Sequence, residues 1–293
     1  MKPPPFEYYA ASGLAEALDL LAEHGDEGKV IAGGQSLVPL LNFRVIRPSC
    51  LVDINGVSEL DYIRMDDGAS LRIGALARQA DLEQSPEASA HVPLLAEALR
   101  HVGHVQIRNR GTVGGSAVHA DPAAEIPAAL AALDASFVVE SRRGSRRLGF
   151  EEFFVGIFTT ALAPDELLTA IEIPVPAPRT GSAFCEFARR HGDFALGGVA
   201  ALVTVGPSGA CEAVAIALLG AAPTPTRAPD AETWLRGRRL DEDVAREAAR
   251  RATANIDPFG DIHGSATFRR RVLGELVRRA LLQAAERAES ASP

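Results

Sequence analysis

Cysteine is scarce in this chain. Cys50, Cys185 and Cys211 stand singly, and no two share a CxxC spacing. An iron–sulfur cluster or structural zinc held by this chain is therefore excluded, and such free thiols fit a reducing cytoplasm. No run approaches 18 uncharged apolar residues, so no membrane span is expected. The opening residues, Met1-Lys2-Pro3-Pro4-Pro5-Phe6-Glu7, lack the apolar core of a signal peptide. Positive charge is in deficit: the net charge is −8 and the pI about 5.5, against a general nucleic-acid binder or an anionic membrane surface. GxSxG, HExxH and P-loop spacings are all missing. His101 and His104 share a metal-like spacing, but no further ligand stands near them, and they are read as helix-terminal cations or caps.

What the chain does have is glycine in two dense places. Gly111, Gly114 and Gly115 fall within five residues, flanked by Arg108 and Arg110 and accompanied by Thr112, Val113 and Ser116; Asp121 and Glu125 follow. About eighty residues earlier lies Val30-Ile31-Ala32-Gly33-Gly34-Gln35-Ser36-Leu37. Glycine lets a backbone approach a ligand without a Cβ in the way, and successive N–H groups in a turn form a concavity for anionic oxygens. Two such segments suggest two loops gripping one extended ligand, such as a dinucleotide; the plainer reading is two ordinary turns. Neither has the GxGxxG spacing, which argues against a Rossmann fingerprint. A third patch, Arg189-Arg190-His191-Gly192-Asp193-Phe194, either offers the Phe194 ring to a flat cofactor or turns it into the core.

Taken in order, 13–24 reads as an amphipathic helix through Leu14, Leu18 and Leu21, and 29–31 as a strand entering the first glycine pair. Residues 37–43 look helical with Pro39 interrupting them. Residues 50–54 and 70–74 read as strands, 80–83 as a short helix, 92–102 as a firmer one and 122–133 as a buried one. A hairpin spans 137–148 and a strand 167–173. Pro174-Val175-Pro176-Ala177-Pro178 is a linker candidate. Strands near 182–189, 199–205 and 211–219 follow, then helices near 227–236, 241–255 and 266–288; this is an α+β order. The arginines of the last helix are read as a solvated face.

Ala32-Gly33-Gly34-Gln35-Ser36, Ile107 with the stretch through Ser116, Asp121-Pro122-Ala123-Ala124-Glu125 and His191-Gly192-Asp193-Phe194-Ala195 occur in one order and spacing. Together they resemble the medium, FAD-binding subunit of the xanthine dehydrogenase / carbon monoxide dehydrogenase family of molybdenum hydroxylases. The resemblance implies an α+β fold. A two-subdomain FAD-binding domain of the vanillyl-alcohol-oxidase (PCMH) type would span 1–176, with a break near 55–60. A C-terminal domain of a three-stranded antiparallel sheet and three helices would span 180–288. It further implies that residues 30–37 and Thr112, Val113, Gly114, Gly115 and Ser116 grip the FAD pyrophosphate through backbone N–H groups. Asp121 and Glu125 would be cofactor-binding positions, Val102 and Leu168 apolar contacts, and Phe194 the aromatic beside the isoalloxazine ring. Cys185 and Glu186 stand where some relatives carry a lysine. No side chain is implied as catalytic or as a metal ligand. The molybdopterin cofactor and [2Fe-2S] clusters would belong to partners, a large molybdenum-cofactor subunit and a small [2Fe-2S] subunit in a dimer of heterotrimers. Electrons would pass through FAD to NAD+, a quinone or oxygen. The alternatives are a stand-alone FAD-dependent oxidoreductase and a scaffold that has lost FAD.

Overall fold

A small parallel sheet comes first. The computed structural model describes residues 1–290. In it β1 (Glu7–Ala10), β2 (Gly28–Ile31) and β3 (Cys50–Asp53) pair in the order β1-β3-β2, both pairs parallel. Parallel neighbours need crossovers, supplied by α1 (Leu14–His24) and by a loop with α2 (Leu37–Asn42). Ala17, Leu18 and Leu21 form the buried stripe of α1. Pro39 does not interrupt α2, because it falls in the first turn, where its absent N–H has no intrahelical partner to lose.

A five-stranded antiparallel sheet follows, in the order β4-β5-β10-β6-β7. After β4 (Ile63–Asp66) and β5 (Ser70–Gly74) come six short helices: α3 (Gln79–Gln84), α4 (Pro86–His91), α5 (Pro93–Leu99), α6 (Val105–Arg108), α7 (Val113–His119) and α8 (Glu125–Ala132). The chain then returns through β6 (Ser136–Ser141), β7 (Gly144–Gly149), α9 (Phe150–Phe153), β8 (Phe154–Gly156), β9 (Thr159–Thr160) and β10 (Leu167–Pro174). The helix expected over 92–102 is shorter, opened by Pro93 and followed by a turn at Gly103 with φ +47°. Every residue of β10 before Pro174 is buried, so its alternation separates two dry faces rather than a dry face from a wet one.

The C-terminal part is an antiparallel sheet of order β11-β12-β13-β14: β11 (Thr180–Phe187), β12 (Gly197–Val205), β13 (Cys211–Leu219) and β14 (Thr226–Arg227). The two-residue β14 joins the three long strands foreseen from sequence. Helices α10 (Pro229–Leu235), α11 (Glu242–Ala252) and α12 (Ala266–Ser290) complete the chain. Leu273, Val277, Ala280, Leu281 and Ala284 of α12 are buried against the sheet. The approach is close enough that a Cβ on Gly181 would lie 2.0 Å from Ala284 O.

The proline-rich segment after β10 changes sheet without ending the core. Phe184, Ala200, Ala217 and Leu219 join the cluster built on Leu95, Ile126, Leu130 and Phe137. The face of β11–β13 opposite α12 thus closes over α5 and α8, and the seam between the two halves is largely apolar. Among the described residues no helix is long and apolar enough to cross a membrane.

Candidate functional site

The two glycine segments, remote in sequence, touch. A Cβ on Gly33 would lie 2.3 Å from Arg110 O and 2.9 Å from Gly111 Cα, so only glycine permits this approach. Gly34 has φ +72°, a left-handed value that glycine adopts freely. Polar side chains fasten the pair. Asn55 Nδ2 donates to Ala32 O at 2.8 Å, Arg78 donates to Asn55 Oδ1 at 2.8 Å and to Arg110 O at 2.6 Å. Asn55 is itself set by the turn after β3, where its N–H donates to Asp53 Oδ1 at 2.8 Å. Sequence reasoning missed Asn55 and Arg78; the Asp-x-Asn-Gly turn at 53–56 was the available signal.

The loops differ in what they offer a ligand. In the first, the N–H groups of Gly33, Gly34, Gln35, Ser36 and Leu37 have no backbone or side-chain acceptor among the described residues. Such a run of half-exposed donors suits a diphosphate. The second segment is a helix start rather than a turn, and its donors are taken. Val113 N–H bonds Ala77 O, Gly114 N–H bonds Ala75 O, Gly115 N–H bonds Thr112 Oγ1 and Ser116 N–H bonds Thr112 O. The resemblance implied backbone N–H donors from both loops; in the second they are bonded within the protein. Gly114 is buried, where a Cβ would meet Ala75 O at 2.6 Å; it serves packing. Exposed Gly115 and half-buried Ser116 provide the surface that faces outward. Of the flanking arginines, Arg108 is engaged by Glu83 at 2.7 Å and by Val102 O at 3.0 Å, while exposed Arg110 has no ion pair among the described residues.

A second group gathers at the seam between the halves. Glu125 opens α8 and is 8% exposed. Burial, opposed by its own backbone N–H and reinforced by Asp121, lifts its carboxyl to about 7. Glu186 reaches in from β11 with its side chain 5% exposed. Burial and then the charge of Glu125 lift it to about 8. His101 Nδ1 stands 4.0 Å from Glu186 Oε1. Burial and neighbouring His191 hold His101 below its usual value, so the imidazole is neutral and the pair is not a salt bridge. Of the two roles read for His101 at a helix end, cation or cap, burial disfavours the cation.

The remaining positions divide. Val102 is half-buried beside the core. Leu168, 2% exposed within β10, lends a ligand no side-chain surface. Asp121 Oδ1 accepts the Ala123 N–H at 2.8 Å and shapes the turn into α8. His119 packs on Phe158 at 5.1 Å, a structural role. Phe194 is 78% exposed, so its ring stands out from the core on a loop of β11–β12. Gly192, with φ +85°, seats that loop on His104: a Cβ there would lie 2.3 Å from His104 Cε1. The loop therefore rests on the turn that leads into α6 and the second glycine segment.

The family model described as the FAD binding domain in molybdopterin dehydrogenase matches residues 4–176. The one described as the CO dehydrogenase flavoprotein C-terminal domain matches residues 182–284. The 6-hydroxypseudooxynicotine dehydrogenase complex subunit alpha of Paenarthrobacter nicotinovorans is 46% identical over 98% of this chain and 97% of its own. The carbon monoxide dehydrogenase medium chain of Hydrogenophaga pseudoflava is 38% identical over 96% of this chain and 97% of its own. Among solved structures, carbon monoxide dehydrogenase from Hydrogenophaga pseudoflava superposes with a TM-score of 0.95 at 38% identity, covering 98% of this chain and 99% of that one. Quinoline 2-oxidoreductase from Pseudomonas putida 86 gives 0.93 at 40% identity, covering 98% and 99%.

Proposed function

The chain belongs to the family of FAD-binding subunits of molybdopterin dehydrogenases, and from that premise we propose that it is the flavoprotein subunit of a molybdenum hydroxylase complex. In this reading it works beside a large molybdenum-cofactor subunit and a small [2Fe-2S] subunit, assembled as a dimer of heterotrimers in the cytoplasm. Electrons arrive from the iron–sulfur partner and leave to NAD+, a quinone or oxygen. The observation that carries the reading is the run of five unclaimed N–H groups from Gly33 to Leu37, held against the second glycine segment.

The residues present fit FAD. The glycine contact at Gly33 and Arg110 leaves no side chain between the loops, and the free donors match a diphosphate in number and sign. When bound, FAD supplies the redox chemistry. The chain's own residues bind and orient. The amides of residues 33–37 hold the diphosphate, with Ser116 and the bare Cα of Gly115 opposite. Asn55 and Arg78 fix the distance between the loops. Phe194, on a loop anchored at His104, offers an aromatic face to a flat ring. Glu125 closes the site from the seam side. No side chain is needed as nucleophile, acid or base.

The test is reconstitution. The purified chain, loaded with FAD and passed through gel filtration, is expected to retain one flavin per chain. Riboflavin, which lacks the diphosphate, is expected to be lost. Equal loss of both would refute the reading.

A further inference from the structure

We propose that helix α2 and the turn that ends it are the docking surface for the iron–sulfur partner, which meets them with an apolar patch rimmed by carboxylates. The inference rests on the reading above for that partner's existence and adds its place on this chain.

Helix α2 reads Leu37-Val38-Pro39-Leu40-Leu41-Asn42, five apolar residues in six, yet only Leu41 is buried. A helix apolar on all sides is ordinarily enclosed. Pro39 and Phe43 stand four apart, on one face, and both are exposed, as is Val38. The turn that follows extends this surface. Arg44 N–H donates to Leu41 O and Val45 N–H to Leu40 O, each at 3.0 Å, the two bonds that close a helix around a left-handed residue. Such a cap usually packs its last apolar residue back on the helix. Here that residue, Val45, is 69% exposed, and Phe43 is 70% exposed. An apolar surface left open over neighbouring residues marks a protein contact.

Cations edge the patch. The left-handed position belongs to Arg44, φ +59°, where glycine is usual. Its Nε donates to Lys2 O at 3.3 Å, which brings the start of the chain to the same place. Arg47 follows in the same turn and is exposed. Among the described residues none of Lys2, Arg44 and Arg47 has an ion pair. In a chain of net charge −8 this is a local reversal of sign, and its complement is an acidic rim. A second copy of the chain does not offer one. A two-fold contact would set the patch against itself, cation facing cation.

The patch also lies beside the proposed flavin loop. Helix α2 begins at Leu37, the last of the unclaimed amides, so a protein seated on α2 adjoins the residues that hold the diphosphate. Of the two partners, the iron–sulfur subunit is the one that hands electrons to the cofactor and must come close to it.

The experiment is assembly of the complex in its native host around a tagged full chain. The chain is supplied as parent, as Phe43→Ser with Val45→Ser, and as Arg44→Gly with Arg47→Ser. Glycine suits the left-handed position of Arg44, so the second variant keeps the turn, and melting curves of both free variants are expected to match the parent. The [2Fe-2S] subunit retained per chain is expected to fall about 10-fold in each variant. Added salt should release it from the parent more steeply than from the arginine variant. Amide hydrogen exchange over 37–47 is expected to be slower in the parent complex than in the free parent chain. Retention within about twofold of the parent in both folded variants overturns the proposal. So does loss of the molybdenum subunit alone, equal exchange over 37–47 in complex and free chain, or self-association of the free chain that the variants abolish. A parent chain that assembles with neither partner brings down the complex reading as well.

Discussion

Replacing Gly33 by alanine isolates the contact between the loops. Gly33 does not have a positive φ, so the substitution brings no backbone strain, only a methyl group. That methyl would stand 2.3 Å from Arg110 O, whereas a carbon and a carbonyl oxygen settle at about 3.3 Å. The segment carrying Arg110 must retreat by about 1 Å, or the first loop must tilt by as much. Overpacking of this size costs about 1–3 kcal/mol in fold stability. Hydrogen bonds to a charged group are worth about 1.5–3 kcal/mol each, so misplacing one or two of them weakens FAD by about 100-fold. The assay is a flavin fluorescence titration of the FAD-free variant at a temperature where its melting curve shows it folded. Arg78→Met serves as a second variant. It removes the bonds to Arg110 O and Asn55 without crowding and should weaken FAD by about 10-fold. FAD affinities within threefold of the parent in both folded variants would refute the reasoning.

Elsewhere in the chain other outcomes follow. Gly274 lies inside α12 with the nearest atom to an added Cβ, Thr253 Oγ1, at 3.9 Å; Gly274→Ala should raise stability by about 0.5–1 kcal/mol and leave FAD affinity unchanged. Arg227 grips both oxygens of Glu232 at 2.7 and 2.9 Å, and Ala131 O at 3.0 Å, across the seam. Arg227→Met strands a buried carboxylate and should cost about 3–5 kcal/mol in a denaturant melt; Arg227→Lys should restore less than half, for want of the bidentate fork. Because Glu125 and Glu186 sit at about 7 and about 8 in the folded chain, above the unfolded value of 4.5, the native state holds their protons more tightly. Their contribution is full below the unfolded value and lost as pH rises through about 8. The melting temperature should therefore fall between pH 5 and pH 8.5, and less steeply in Glu186→Gln; identical pH profiles would contradict the assignment.

Local patterns made much of this fold legible. The stripe of Leu18 and Leu21, the hairpin at Gly144 and the three long strands after Pro178 are all where periodicity and turn residues put them. Short edge strands escaped. Glu7–Ala10 is mostly exposed and carries no alternation to detect, since its partner, β3, lies forty residues on. The glycine pairs located the loops but not their division of labour. Gly114 and Gly34 look alike in sequence, yet one packs against Ala75 and the other bends a loop of free donors. The Asn55–Arg78–Arg110 linkage and the approach of His101 to Glu186 join residues from separate elements, and no local spacing encodes such meetings. From the sequence Phe194 reads two ways, and its exposure depends on where the C-terminal sheet sits, a tertiary fact.

The central claim is that the unclaimed amides of residues 33–37 hold a flavin diphosphate. Its most direct measurement is the set of amide proton and nitrogen shifts of Gly33, Gly34, Gln35, Ser36 and Leu37 as FAD is added to the labelled chain. Hydrogen bonding to phosphate oxygens predicts large downfield shifts at several of these amides and small ones at Val113 and Gly114, whose donors are already bonded within the protein. FAD binding that leaves residues 33–37 unmoved would contradict the account.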